Sequence, residues 1–545
     1  MSDYLHKHST KPTLRDVPTS FSEFRDIIVG RHKKEVVIFY PKHDESSSLP
    51  ESSVSSQEKQ EEVEERKGLE KYWAIITTGA GLFSDGYINN SISSVSSCFS
   101  KIYGKKYTQS RAIQNISSIV FVGTVVGQLT FGYLSDHHSR RISMLIGTSM
   151  LIVFTILCSG AWGKGTSGTE PGGLFAALTA WRFFLGIAIG SEYSSGSPAA
   201  AEASNLLPPH KRNRWFIWFT NFTIDFGFVV GAFVPLVLLW ICDQKHLTPV
   251  WRISIGLGAI PPISLFFLRL KFKESKKFER TKFTKGLPYW RIIKFYWFRT
   301  TIVAILWFLY DFSSYAFGTY SSIIIGLVLP ADASLYKNFG WNVVLNLFYI
   351  PGSFIGAYAT DYFGARLTLG VGLVVQSAIG YGLAGGLENL RKHIAGFVVM
   401  YGIFLTIGEF SAGNNVGVIA SKVYATPVRG TLYGVSAMIG KVGAFVGTWA
   451  FPTVIRRYGL KAPYYVSSTL CIFSAFLAYF CLPDLDQDAM DREDERFHEY
   501  LRSTGYDMST IGCHVDGAET NVEVLCDSDD SVMKKDDHGV EVVEH

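Results

Sequence analysis

Between Trp73 and Leu482 the chain is divided into twelve apolar segments, at about 73–99, 113–135, 142–161, 173–200, 214–241, 251–270, 299–329, 341–360, 367–386, 394–416, 430–452 and 462–482. A hydrocarbon core of about 30 Å requires about 20 residues of helix. A segment inside that core has no water for its amides, so it must satisfy them along its own backbone. Such a run leaves little room for a soluble enzyme. It predicts an all-α membrane protein with twelve transmembrane helices, and the overall composition agrees, with 48% hydrophobic and only 18% charged residues.

Between segments six and seven, Lys271 to Arg299 holds ten Lys or Arg against Glu274 and Glu279. Basic connections stay on the cytoplasmic side. Six crossings on either side of this linker therefore make two six-helix halves and place both termini in the cytoplasm, together with the short connections carrying Lys211, Arg212, Arg214 and Arg429. Lys101, Lys105, Lys106, Arg456 and Arg457 fall outside on this reading. The expected organisation is a disordered cytosolic tail over 1–70, a first half over 71–270, a basic linker over 271–298, a second half over 299–482, and an acidic cytosolic tail over 483–545 with no structure of its own. The first 70 residues are polar, so no cleavable leader is expected before the first segment. The seven cysteines show no metal or redox spacing, and the net charge of +4 forms no basic face for nucleic acid. The expected partners are the lipid bilayer and a small solute, with the protein acting as a monomer.

Ionisable side chains inside membrane segments cost at least about 2.5–3.5 kcal/mol each, so they mark function. Asp85, Arg182, Glu192, Asp225, Asp311, Glu409 and Lys441 all fall in or near spans. In WFLYDFSSY, Trp307, Asp311 and Tyr315 are spaced by four and share one helix face. An aromatic core with one tolerated acid is the alternative; the functional reading is a substrate and proton site. Lys441 lies well inside the glycine-rich GVSAMIGKVGAFVG and suits either an anionic substrate or an ion pair. Acids, tyrosines and the amides of Asn414 and Asn415 complete a lining that fits an anion with a polar body.

An internal repeat supports the two halves. GYLSDHHSRR, from Gly132, follows segment two, and GAYATDYFGARL, from Gly356, follows segment eight. These resemble the G-x-x-x-D-R-x-G-R-R loop of the major facilitator superfamily, with His137 and Ser139 departing from it. RFFLGIAIG resembles its fourth-helix motif. On that resemblance Asp136, Arg140, Arg141, Arg182, Glu202, Asp361 and Arg366 are the gate residues. GSEYSSGSPAAAE, WFLYDFSSY, AGNNVG and the Lys441 segment further resemble the phosphate:proton symporters, and among them the fungal glycerophosphodiester permeases. The resemblance implies substrate binding by Tyr193, Trp307, Asp311, Tyr315, Asn414, Asn415 and Lys441, and proton coupling through Asp85, Glu192, Asp225 and Asp311.

The function expected from this reading is proton-coupled import of glycerophosphodiesters such as glycerophosphocholine or glycerophosphoinositol at the plasma membrane, with the proton as coupling ion and no other cofactor or metal. Inorganic phosphate symport and a transporter-like nutrient sensor are the alternatives.

Overall fold

The computed structural model describes residues 70–511 apart from 209, 276, 277, 279, 280, 284, 285, 331, 484, 486 and 487. The tail expected over 1–70 lies almost wholly outside the described residues, as does the chain beyond 511. Eleven helices among the described residues are long and apolar enough to cross a membrane. They are α2 (Ala112–His137), α3 (Arg140–Ser159), α4 (Leu174–Asn205), α5 (Arg212–Cys242), α6 (Leu247–Arg269), α7 (Tyr289–Thr319), α8 (Leu335–Phe363), α9 (Ala365–Leu390), α10 (Ile394–Lys422), α11 (Thr426–Tyr458) and α12 (Lys461–Cys481).

The twelfth, α1, is built from Glu70–Gly79, a 3-10 turn Ala80–Leu82, and Phe83–Tyr103. Serines and asparagines fill its last part, which keeps its hydropathy low. Asn89, Asn90, Ser93 and Ser97 are all buried, so these polar groups face protein rather than lipid. The basic linker is shorter than expected, because α7 already begins at Tyr289. Ile292 and Tyr296 are buried there and extend the apolar face backwards past Arg291 and Lys294.

Close packing sets α11 on α7. A Cβ at Gly443 would stand 2.3 Å from the Phe308 carbonyl oxygen, and one at Gly447 would stand 2.0 Å from that of Phe312. Residues four apart share a helix face, so the two glycines let the backbones touch along one seam. That seam carries Lys441 of α11 to within 3.2 Å of Asp311 of α7.

Two helices are interrupted at similar places in the two halves. A π-helical turn occupies Glu192–Gly196 in α4 and another Glu409–Gly413 in α10. Each opens on a glutamate, in EYSSG and EFSAG. A π turn carries an extra residue and rotates everything after it, which is why it is common at functional sites.

At the end of the bundle that holds the linker, charged groups join the halves. Asp136 of α2 accepts from the backbone N–H groups of Gly430 (3.1 Å) and Thr431 (2.6 Å). Glu202 of α4 lies 2.8 Å from Arg140 and 2.9 Å from Arg429. At the far end the joins between the halves include no ion pair among the described residues: Ser93 with Ser321 at 3.2 Å, Ser97 with Ser322 at 3.0 Å, Asn90 to Asn346 at 2.9 Å, and the Tyr336 hydroxyl to the Asp243 carboxylate at 3.0 Å.

The stretch after Asp484, expected to lack structure, holds a helix, α13 (Ala489–Ser503), with Phe497 and Leu501 fully buried. Its charges hid it in the sequence, and those charges turn out to be partnered. Arg299 donates to Glu493 at 2.7 Å, and the Thr426 N–H donates to Asp494 at 2.6 Å. Arg212 and Asn205 of the first half meet Asp488 and Asp491 at 2.7 and 3.2 Å. Burial pushes the Glu493 carboxyl above its ordinary range, while the Arg299 guanidinium opposes the shift.

Two outcomes follow. Gly447→Val should collapse the yield of monodisperse protein in size-exclusion chromatography several-fold, whereas Gly385→Val, with no atom within 4 Å, should not. Arg299→Ala strands a buried carboxylate at a cost of about 3–5 kcal/mol. Hydrogen exchange over 489–503 should then rise sharply, and unchanged protection would show that the Arg299–Glu493 pair does not hold α13 in place.

Candidate functional site

A cavity lies between the halves where α1, α4, α5, α7, α10 and α11 converge. Three carboxylates line it, Asp225, Asp311 and Glu409, and no basic side chain does among the described residues. The cation stands just behind the wall. Lys441, 1% exposed, points its Nζ at the Tyr193 hydroxyl (3.0 Å), the Tyr315 hydroxyl (2.5 Å), the Asp311 carboxylate (3.2 Å) and the Asp85 carboxylate (3.8 Å). Asp85 in turn accepts from Tyr193 (2.5 Å), Tyr315 (2.7 Å) and Asn89 (2.5 Å).

The donor arithmetic is consistent. An ammonium has only donors, a carboxylate only acceptors, and a phenol one of each kind. Lys441 therefore donates to both phenol oxygens, and each phenol passes its own proton to Asp85. One cation is held between two carboxylates, directly at Asp311 and through two hydroxyls at Asp85. Trp307 closes this end, with its ring edge-on to Tyr193 and Tyr433 at 6.4 and 5.3 Å.

A second cluster on the cavity wall is acidic. Glu409 accepts from Tyr310 (2.6 Å) and Asn221 (3.0 Å), and Asn221 also donates to Asn414 (3.0 Å). Asn414 donates to the Ser353 carbonyl at 3.0 Å. Asp225 lines the same cavity as Glu409.

Of the residues expected at the substrate, Tyr193, Trp307, Asp311, Tyr315 and Asn414 line the cavity, and Lys441 backs it. Asn415 does not. Its amide donates to Ser411 (2.6 Å) and its carbonyl accepts from Thr360 (2.8 Å), so it fastens α10 to α8. The π turn that ends at Gly413 aims only the first of the two asparagines inward. Of the residues expected in proton coupling, Asp85, Asp225 and Asp311 belong to the site. Glu192 stands apart in a paired contact with Arg269, at 2.6 and 2.5 Å. Arg269 escaped notice because it closes segment six and reads as a flanking positive charge. Tyr310 was hidden by its place one residue before Asp311, off the four-residue stripe.

The expected gate residues divide. Asp136, Arg140 and Glu202 form the charged join described above, completed by Arg429. Asp361 accepts from the Arg214 N–H at 3.2 Å, which links α8 to α5. Arg182 donates to the Ile116 carbonyl (2.7 Å), Arg141 to that of Leu270 (2.5 Å), and Arg366 to that of Tyr479 (2.9 Å). These three contacts stay within one half and brace helices rather than bridge the halves.

Residues 72–286 and 277–496 each match the Sugar (and other) transporter family. The chain belongs to that family. It is a membrane transporter of the major facilitator type and not an enzyme. It is 50% identical to the glycerophosphodiester transporter GIT2 of Candida albicans, over 94% of this chain and 96% of that protein. Identity is 49% to the major glycerophosphoinositol permease GIT3 of the same yeast, over 97% and 99%, and 51% to its glycerophosphocholine permease GIT4, over 91% and 93%. The solved proton:xylose symporter XylE has the same fold, with a TM-score of 0.66 at 14% identity over 78% of this chain and 98% of that one.

In this transporter the Glu192–Arg269 pair has the geometry of a structural brace, since Arg269 is fully buried and also caps the Thr77 and Thr78 carbonyls. Glu192→Gln should cost about 3–5 kcal/mol by leaving that cation buried without its counter-charge. The double change Glu192→Leu with Arg269→Met should recover most of the loss in thermal melting. A single variant of full stability but with altered transport pH dependence would instead make Glu192 a coupling acid.

Proposed function

We propose that this transporter imports glycerophosphodiesters together with protons, by alternating access at the plasma membrane, with its linker end and both termini in the cytoplasm. The observation that carries the reading is Lys441, buried between the halves and neutralised by Asp311, Asp85 and two phenols. The 50% identity to a glycerophosphodiester transporter supplies the substrate class.

The chemistry runs as a competition for one ammonium. In the empty site Lys441 is satisfied by carboxylates. An arriving phosphodiester anion offers the same acceptor oxygens and takes over the Lys441 Nζ and a phenol O–H. Asp311 is then left as a buried anion without its cation, an expensive state that a proton relieves. Substrate and proton therefore enter as a pair. Release to the cytoplasm reverses the order: the proton leaves, Asp311 recovers Lys441, and the anion is displaced.

Both ends of the cavity are joined, which is the arrangement of an occluded intermediate. The far end, held by hydrogen bonds with no ion pair between the halves among the described residues, opens outward at low cost. The linker end, held by Asp136, Arg140, Glu202 and Arg429, opens only after buried charges separate, a step for which bound substrate and proton supply the driving force. An inward gradient of one pH unit provides about 1.4 kcal/mol per proton, and 100 mV adds about 2.3 kcal/mol per net charge moved. A proton is the only coupling ion in this scheme, and a monomer suffices for it because every named group lies on one chain.

Uptake of labelled glycerophosphocholine and glycerophosphoinositol, in cells lacking their own permeases, tests the reading at pH 5 and pH 7.5 with excess unlabelled phosphate. Acid should stimulate wild-type uptake several-fold, with little inhibition by phosphate. Asp311→Asn should retain exchange of labelled for unlabelled substrate but lose accumulation against a gradient. Accumulation at the wild-type level by Asp311→Asn would remove Asp311 from the coupling, and accumulation of phosphate alone would reassign the substrate.

A further inference from the structure

Lys441 has two counter-ions, and they are held in unlike ways. Asp311 lines the cavity and meets Lys441 at 3.2 Å, with no neutral donor upon it among the described residues. Asp85 stands behind the cavity wall and is held by three neutral donors. Its Oδ2 accepts from Tyr193 (2.5 Å) and Tyr315 (2.7 Å), and its Oδ1 accepts from the Asn89 amide (2.5 Å). Asn89 follows Asp85 by four residues, one turn further along α1, so the two side chains share a helix face. It is 3% exposed, makes no hydrogen bond to another helix among the described residues, and has an amide oxygen that accepts none. Its neighbour Asn90, by contrast, ties α1 to α5 through the Phe228 carbonyl (2.5 Å) and to α8 through Asn346 (2.9 Å). The Asn89 side chain acts on Asp85 alone.

Resting on the import reading, we propose that Asn89 is a positioning residue that holds Asp85 as a permanent counter-ion, so that the Lys441 cluster takes up one proton with each substrate rather than two. A substrate anion that takes the Lys441 Nζ and one phenol O–H removes the cation from both acids. Asp85 then keeps a donor on each oxygen, the remaining phenol on Oδ2 and the Asn89 amide on Oδ1. Asp311 keeps none. Hydrogen bonds made to the charged form of an acid favour that form, so the proton goes to Asp311 and Asp85 stays an anion. Without the amide, the Asp85 Oδ1 is bare, and two buried acids compete for relief by protons.

The other ionisable groups around Asp85 do not replace Asn89. α4 presents Tyr193, α7 presents Tyr315 and Asp311, and α11 presents Lys441, all of them already engaged in the cluster. α6 brings Arg269, which Glu192 of α4 neutralises at 2.5 Å, and α5 brings Asp225 to the cavity wall. On α1 itself the Tyr87 hydroxyl is spent on the Ser254 carbonyl at 2.5 Å.

The test uses wild type, Asn89→Leu, Asn89→Gln and the double variant Asp85→Asn with Asn89→Leu, each purified in detergent. Affinities for glycerophosphocholine and for glycerophosphoinositol are measured from pH 5 to pH 8, and the slope of log Kd against pH counts the protons taken up with the ligand. Asn89→Leu should raise that slope above the wild-type value by about one proton, since Asp85 joins Asp311 in titrating. Asn89→Gln, which keeps an amide donor, should bring the slope back toward wild type. The double variant should abolish the increase, because the extra proton sits on Asp85. A slope in Asn89→Leu equal to that of wild type overturns the proposal, as does an increase that survives Asp85→Asn. Loss of folded protein lowers the active fraction and leaves the slope in place, so a merely structural role for Asn89 does not mimic the effect. Wild-type binding independent of pH, with a slope of about one in Asn89→Leu, would support the role of Asn89 while overturning proton coupling at Asp311. The predicted slopes without uptake of either labelled diester in cells would support it while overturning the import reading.

Discussion

Lys441 is an ammonium buried between two membrane-spanning halves, and it exists there only because Asp311 and Asp85 neutralise it. An unpaired charge at that depth is expensive, so α1, α4, α7 and α11 must bring their acids and phenols to one point. The glycine seam of α11 against α7 makes that approach possible, since a side chain at Gly443 or Gly447 would hold the two backbones apart. The site and the packing are one constraint. Any solute that competes for the lysine acts on the contacts that hold the halves together.

The two halves share a device and use it differently. A π turn opening on a glutamate lies in α4 and in α10. In the first half that glutamate is closed off by Arg269 and braces the start of α1 against α6. In the second it faces the cavity with Asp225. The ends of the bundle divide their labour in a similar way, with hydroxyl contacts at one and desolvated ion pairs at the other. Helix α13 adds to the charged end, since its Asp488 and Asp491 reach the first half while Glu493 and Asp494 reach the second.

Part of the site was legible in the chain. Trp307, Asp311 and Tyr315 were placed on one stripe by a spacing of four, and the helix they occupy is regular enough for that count to hold. Tyr310, one residue from Asp311, lies off that stripe, yet α10 approaches from the side and meets it. Asn414 and Asn415 were indistinguishable by spacing, because a π turn immediately before them breaks the 3.6-residue count. Arg269 looked like a flanking charge, as its partner Glu192 is 77 positions away. Helix α13 was unreadable for the same reason: its hydropathy is low, and its burial depends on Arg299 and Thr426, supplied by distant parts of the chain.

The sequence by itself determined the class of protein. Twelve apolar runs of membrane length, divided by a basic linker, admit few folds, because backbone amides in hydrocarbon must be bonded within their own helix. It also determined which ionisable residues pay the cost of burial. Only the tertiary structure decided which of them meet. Charge pairing acts over a few ångströms between helices far apart in sequence, so whether a buried acid is a brace like Glu192, a counter-ion like Asp311 or an open acceptor like Asp225 depends on what the neighbouring helix presents to it.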